Sequence, residues 1–295
     1  MRRARLALTL GDPRGIGPEI VAKALADSEV RRVCEPVVVG PRGADTDVDE
    51  SVGSWTKPRD EATAGRLAGL AIERAVQLAL QGAVDGIVTA PIDKHALLQG
   101  GYTDPGHTEM LARLTRSRTA MMLSSDRLRV VLATTHVALR DVPKALSRDV
   151  ILDVGRLTSE ALRRWFGVET PRIALCALNP HAGDGGRFGD EDDTLLAPAA
   201  REAGLQGPFP ADTVFVRALR GEFDAVVAPY HDVGMTAIKV ASFGEAVNVT
   251  LGLPFPRTSP DHGTALDIAG KGIASPASMT RAIVMCARIV GEARL

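Results

Sequence analysis

An α/β fold with helices covering a largely parallel sheet is what this sequence predicts, and three observations carry the expectation. Short β-rich runs alternate with longer helical patterns along the 295 residues, the signature of a sheet covered by helices. Hydrophobic residues make up 45% of the chain, which argues against disorder, and its length allows a sizeable core. Gly and Pro punctuate the ends of the runs, as Gly11-Asp12-Pro13 does after the first one.

Taken in order, residues 6–10 form the first expected strand, and residues 16–26 follow as a helix with Pro18 in its first turn. Residues 36–39 are the second strand. The segment 42–60, polar and rich in Gly, Ser and Asp, reads as a surface loop. Apolar residues at helical spacing predict a helix over 62–81, and a strand follows at 86–89. Further strands are expected at 129–133, 172–177 and 224–228, with helices over 150–166 and 277–293. No internal boundary stands out, so composition alone divides the chain into no domains.

Charge removes several classes of partner. The 35 basic and 36 acidic residues leave a net charge of −1, which gives no footprint for nucleic acid or an anionic membrane. Cys34, Cys176 and Cys286 are dispersed and form no CxxC, so they read as buried thiols in a reducing cytosol. The apolar run after Arg5 is too short for a signal peptide, and the stretch 67–84 is broken by Glu73 and Arg74. A soluble, cytoplasmic protein is expected.

Histidine placement is the most informative pattern. Three apolar runs each end within a few residues of an imidazole, at His136, His181 and His231. The carboxyl ends of parallel strands share one rim, where ligands bind. These imidazoles, with polar neighbours such as Asp141, Asp184 and Asp232, are therefore candidate ligands for zinc or another divalent metal. A single His after a strand more commonly caps a turn; three in succession favour the metal. Lys239 and Arg257 flank Asn248 near an apolar stretch, where a cation calls for a carboxylate or phosphate. Lys94, after the turn at Thr89-Ala90-Pro91, is treated alike. The glycine-rich segment Gly11-Asp-Pro-Arg-Gly15-Ile-Gly17 matches neither a dinucleotide fingerprint nor a Walker loop, so a plain strand-to-helix turn is expected there.

Several segments together resemble a known family. Gly11 to Glu19, Gly106-His-Thr-Glu109, Ala133-Thr-Thr-His136 with Leu139-Arg-Asp141, Leu178-Asn-Pro-His-Ala-Gly183, Tyr230-His-Asp232 and Val247 to Ala265 are similar to the 4-hydroxythreonine-4-phosphate dehydrogenases of the vitamin B6 pathway. They cover nearly the whole chain in the family's order. Separately, His262 to Pro276 resembles the cofactor loop of isocitrate and isopropylmalate dehydrogenases, which share that fold. The chain departs at Val233-Gly234, where the family usually has Gln-Gly, at Ala90-Pro-Ile-Asp-Lys94, and in a compressed segment after the second strand.

The resemblance implies two α/β subdomains flanking a cleft. Residues 1–105 and 240–295 would form the cofactor side, and 106–239 the metal and dimerisation side. It implies a divalent metal (zinc, magnesium, manganese or cobalt) on His136, His181 and His231. Substrate would be held by His107, Thr108, Lys239, Asn248 and Arg257, and NAD or NADP by His262, Gly263, Asp267 and Gly270. A homodimer with a shared active site is expected. The implied reaction is oxidation of 4-phosphohydroxy-L-threonine, then decarboxylation to 3-amino-2-oxopropyl phosphate. The same chemistry on a threonate- or erythronate-type phosphate is the alternative. For the general base, spacing does not choose among Asp212, Asp232 and Lys94. Three histidines near acidic residues also suit a metal-dependent hydrolase, but such an enzyme has no use for a loop like 262–276.

Overall fold

In a computed structural model the described residues are 2–56, 60–242 and 245–293. The chain opens with β1 (Ala4–Thr9), α1 (Gly17–Ala26), α2 (Ser28–Val33), β2 (Cys34–Arg42), β3 (Glu50–Ser54), α3 (Glu61–Leu80), β4 (Gly86–Thr89), α4 (Lys94–Gln99) and α5 (His107–Thr115). It continues through β5 (Ala120–Ser124), β6 (Arg129–Leu132), α6 (Val142–Ala145), α7 (Arg148–Phe166), β7 (Ile173–Cys176), α8 (Ala197–Glu202), β8 (Gln206–Phe209), α9 (Ala211–Leu219), β9 (Ala225–Ala228) and α10 (His231–Ser242). It ends with β10 (Val247–Leu251), β11 (Arg257–Ser259) and α11 (Ala277–Glu292).

Contacts divide these elements into two units, Met1–Ser117 with Val247–Leu295, and Arg118–Ala246. The breaks fall after residues 117 and 246, not at 105/106 and 239/240, because α5 packs with α3 and α10 packs on β6 and β9. In the first unit the strand order is β3-β2-β1-β4-β11-β10, parallel except for the antiparallel pair β10–β11. In the second it is β5-β6-β9-β7-β8, parallel except for β5–β6.

Local chemistry accounts for several helix ends. The Asp60 carboxylate accepts the Thr63 N–H at 2.7 Å and starts α3. Ser147 caps α7, and Gly167 closes it with φ of 64°. Strands β4, β7 and β9 are buried on both faces, as parallel strands covered by helices must be. The first unit's core joins Ala7, Val39, Ile72, Ile87 and Met110 with Phe255, and the second unit's joins Leu132, Ala174, Val214, Val226 and Ile238. All three cysteines are buried, and burial pushes each thiol up to about 12.

One expected loop is a strand. Within 42–60, β3 pairs with β2 from Val39↔Glu50 to Arg42↔Ser54, while residues 57–59 lie outside the described residues. Asp49 steadies the entry by accepting the Val38 N–H at 2.8 Å. This is a polar, mostly exposed edge strand, held by backbone pairing and not by an apolar face.

Candidate active site

The first unit buries a charge without a counter-charge. Arg257, at the start of β11, is 2% exposed. Its Nη1 donates to Thr250 Oγ1 at 2.9 Å and its Nη2 to Thr89 Oγ1 at 2.5 Å, while Nε has no partner. Among the described residues no carboxylate pairs with it. Burial pushes its pKa down to about 10, so the guanidinium stays charged at neutral pH. Hydroxyls hydrogen-bond such a group but do not neutralise it.

Register explains the neighbours. Asn248 lies opposite Ser259 on the antiparallel pair, which puts Asn248 and Thr250 on the face that carries Arg257. Arg257 also pairs with Ile87 of β4, two residues before Thr89. The Asn248 Oδ1 is buried and unpaired, and so is the Nε2 of His107. Desolvation, with the nearby charges of Arg257 and Lys94, holds His107 well below its ordinary 6.5 and keeps it neutral. Thr108 is half-buried in the first turn of α5. Lys239 differs from the expectation of a cation in apolar surroundings, because it lies on an exposed position of α10 in the second unit.

The glycine-rich turn does more than join β1 to α1. Ile16 N–H donates to Thr264 O at 2.9 Å, and a Cβ on Gly15 would lie 2.8 Å from that oxygen. The Glu19 carboxylate accepts the Ala274 N–H at 2.9 Å, and Lys23 donates to the carbonyls of Gly272 and Ala274. The two loops thereby line one cleft of about 580 Å³, with Gly15, Lys23, Asp45, Trp55, Gly270 and Gly272 on its walls. His262, Gly263, Asp267 and Gly270 are all exposed on the second loop, open to a ligand. The bridge was not legible beforehand, since positions 15 and 264 share no sequence pattern.

In the second unit the histidines are on display. His136 and His181 are exposed and His231 is half-buried. The rings of His136 and His231 lie 5.6 Å apart, and Asp232 holds His231 Nδ1 at 2.7 Å. That bond fixes the tautomer and leaves Nε2 as the lone-pair donor. His181 is elsewhere on the unit, its ring 6.4 Å from Phe188. Among the described residues no three His, Cys, Asp or Glu side chains of the chain are arranged so that they could hold a metal ion. The strand ends thus bring two imidazoles together and not the third. Of the candidate bases, Asp212 and Lys94 are exposed, and Asp232 is engaged with His231.

The family described as pyridoxal phosphate biosynthetic protein PdxA matches residues 19–286. This chain belongs to the PdxA family. A relative from Desulfosudis oleivorans named 4-hydroxythreonine-4-phosphate dehydrogenase is 45% identical, over 96% of this chain and 95% of its own. A Bradyrhizobium diazoefficiens relative, provisionally named D-threonate 4-phosphate dehydrogenase, is 42% identical over 99% of each. The crystal structure of a Klebsiella pneumoniae 4-hydroxythreonine-4-phosphate dehydrogenase superposes with a TM-score of 0.87 at 40% identity, covering 98% of both chains. Isocitrate dehydrogenase from Methylococcus capsulatus shares the fold, with a TM-score of 0.53 at 16% identity. A PdxA-family chain is a dehydrogenase, an oxidoreductase acting on a CH–OH group. No helix among the described residues is long and apolar enough to cross a membrane.

Both groups that such chemistry calls for meet a suitable surface. The pair His136–His231, with one ring oriented by a carboxylate, is a neutral-nitrogen donor set suited to zinc and its neighbours. The pair offers two nitrogen donors. The cleft between the loops at 15 and 270 has glycine walls where backbone can approach a dinucleotide closely.

Proposed function

We propose that this enzyme oxidises 4-phosphohydroxy-L-threonine with a divalent metal (zinc, magnesium, manganese or cobalt) and NAD or NADP, and that decarboxylation then yields 3-amino-2-oxopropyl phosphate. The observation that carries this reading is Arg257, a buried guanidinium whose natural counter-charge is a ligand anion. Around it lie one unpaired acceptor, Asn248 Oδ1, and one neutral imidazole, His107. That set suits a phosphate carried by a molecule with hydroxyl or ammonium donors. Binding there fixes the reacting carbon, which lowers the barrier far more than the charge contact alone.

His136, His181 and His231 would hold the metal. When bound, it supplies Lewis-acid polarisation of the substrate hydroxyl and of the enolate that decarboxylation leaves. The 262–272 loop would hold the nicotinamide cofactor, which would supply hydride-accepting capacity. Asp232 keeps His231 in the ligating tautomer, so the hydroxyl proton falls to Asp212 or Lys94. Since each chain gathers only His136 and His231, His181 from a second copy would complete the set, and this supports a homodimer with shared sites.

The test is a panel of phosphorylated hydroxy-acids with each nicotinamide cofactor and each metal, following absorbance of the reduced cofactor. Highest catalytic efficiency is expected on 4-phosphohydroxy-L-threonine. Greater efficiency on the D-threonate or D-erythronate phosphates would move the chain to the alternative substrate. Absence of turnover on every member would overturn the reading.

A further inference from the structure

The loop that carries His181 is built against the grain of an L-amino-acid chain. Residues 181–184 all have positive φ: 54° at His181, 54° at Ala182, 83° at Gly183 and 47° at Asp184. Side chains with a Cβ visit this region singly, not in succession. Such a turn persists only where the surroundings over-determine it. Backbone bonds within the loop run from Ala182 N–H to Asn179 O at 3.1 Å, Asp184 N–H to His181 O at 3.3 Å, Arg187 N–H to Asp184 O at 3.4 Å and Phe188 N–H to Gly183 O at 3.1 Å, and most of residues 181–189 are exposed.

The hold comes from Asp192, a carboxylate with 0% exposure. Its Oδ1 accepts the Leu178 N–H at 2.8 Å and its Oδ2 the Asn179 N–H at 3.0 Å. Both amides lie beyond the end of β7 and directly before Pro180-His181. Next to it, Glu191 accepts from the Asn179 side-chain amide at 2.8 Å. A buried carboxylate is costly, and here both oxygens are taken by backbone amides of one short segment, with no ion pair among the described residues. Strand β7 does not need it, since its own pairing with β8 and β9 stops short of residue 178. What it fixes is the direction in which the chain leaves the strand.

We propose that Asp192 is the positioning residue for His181: its carboxylate locks Leu178 and Asn179, so that the left-handed turn presents the imidazole in one orientation. This rests on the reading of His181 as a metal ligand. The fixed launch explains how an exposed ring in a glycine-rich loop is kept ready to ligate.

Cobalt(II) titration of the full chain, followed by its visible absorption spectrum, tests the proposal without reference to turnover. In Asp192→Asn one carboxylate oxygen becomes an NH2 group facing an N–H. Cobalt affinity is expected to fall roughly 10- to 100-fold, the size of loss seen when a partner of a metal ligand is removed. The thermal transition should stay cooperative, and KM for the nicotinamide cofactor should hold while kcat falls. Asp192→Glu keeps both acceptors at a shifted position, and its affinity should lie between the two. Wild-type affinity and spectrum in Asp192→Asn would overturn the proposal. If that variant does not fold, a wild-type spectrum and affinity in Asp192→Glu would overturn it equally. His181→Ala separates the two levels: if it binds cobalt like wild type, the metal assignment itself fails. If it loses cobalt while Asp192→Asn keeps it, only the role of Asp192 is wrong.

Discussion

Arg257 and the three histidines solve opposite problems. The first unit hides its cation at 2% exposure and pairs it with hydroxyls, leaving it without a counter-charge among the described residues. The second unit leaves His136 and His181 in the open and gathers only two rings. A buried group can be organised by one chain alone, because neighbouring strands set its place. An exposed ligand must be held by its own loop or by something outside. The contrast is between a buried cation fixed by neighbouring strands and exposed rings held by their own loops.

The largest effect is expected at the buried cation. Arg257→Met keeps much of the volume and removes the hydrogen-bonding fork. Catalytic efficiency on a phosphorylated substrate should fall about a hundredfold or more, from roughly 2–5 kcal/mol for truncating one side of a buried charge pair. An unphosphorylated analogue should lose little. Steady-state kinetics on both decide it, and equal losses would show that Arg257 serves the fold or the carboxylate instead.

Mixing inactive variants probes the exposed half of the contrast. His136 and His231 adjoin within one chain, so His136→Ala mixed with His231→Ala should regain nothing after subunit exchange. His181→Ala mixed with His231→Ala should regain one intact site per mixed dimer. Recovery in the first mixture and none in the second would reverse the assignment of ligands to subunits.

A smaller effect concerns pH. His107 is held below 6.5 in the folded chain, so the unfolded chain takes up the proton first as pH falls. Stability is therefore lost on acidification from about pH 6.5 toward the folded value, and is fully present above it. Urea midpoints measured from about pH 7.5 to about pH 5 should drop more for wild type than for His107→Gln. Bound phosphate should shrink the difference, by countering the charges of Arg257 and Lys94. Parallel curves for the two proteins would show that His107 is not the titrating group.

Much of the fold was legible because parallel strands are apolar on both faces. The strand expected at 86–89 is β4, and the helices expected at 16–26, 62–81, 150–166 and 277–293 appear within two residues of their bounds. Strand β3 was hidden because an exposed edge strand keeps no hydrophobic pattern. The pair β10–β11 was hidden for a different reason: its apolar stretch runs on through Pro254 and Phe255 with no change of period. For the site, residue type pointed to the histidines and to Arg257. It could not show that Lys239 is exposed, nor that two rings meet and the third does not. Asp192 gave no signal at all, because Glu191-Asp192-Asp193 reads as a solvated acidic run, and only burial distinguishes its middle member.

The discontinuity of the first unit has a consequence for birth on the ribosome. Residues 118–246 form a contiguous unit that can fold as soon as it emerges. The first 117 residues cannot finish, because β4 awaits β11 as its neighbour and Glu19 awaits the Ala274 amide, made 255 residues later. Through most of translation the edge of β4 and the apolar faces of β1 are left without α11, which packs on both. The earliest-made part of this enzyme is thus the last to reach its native state.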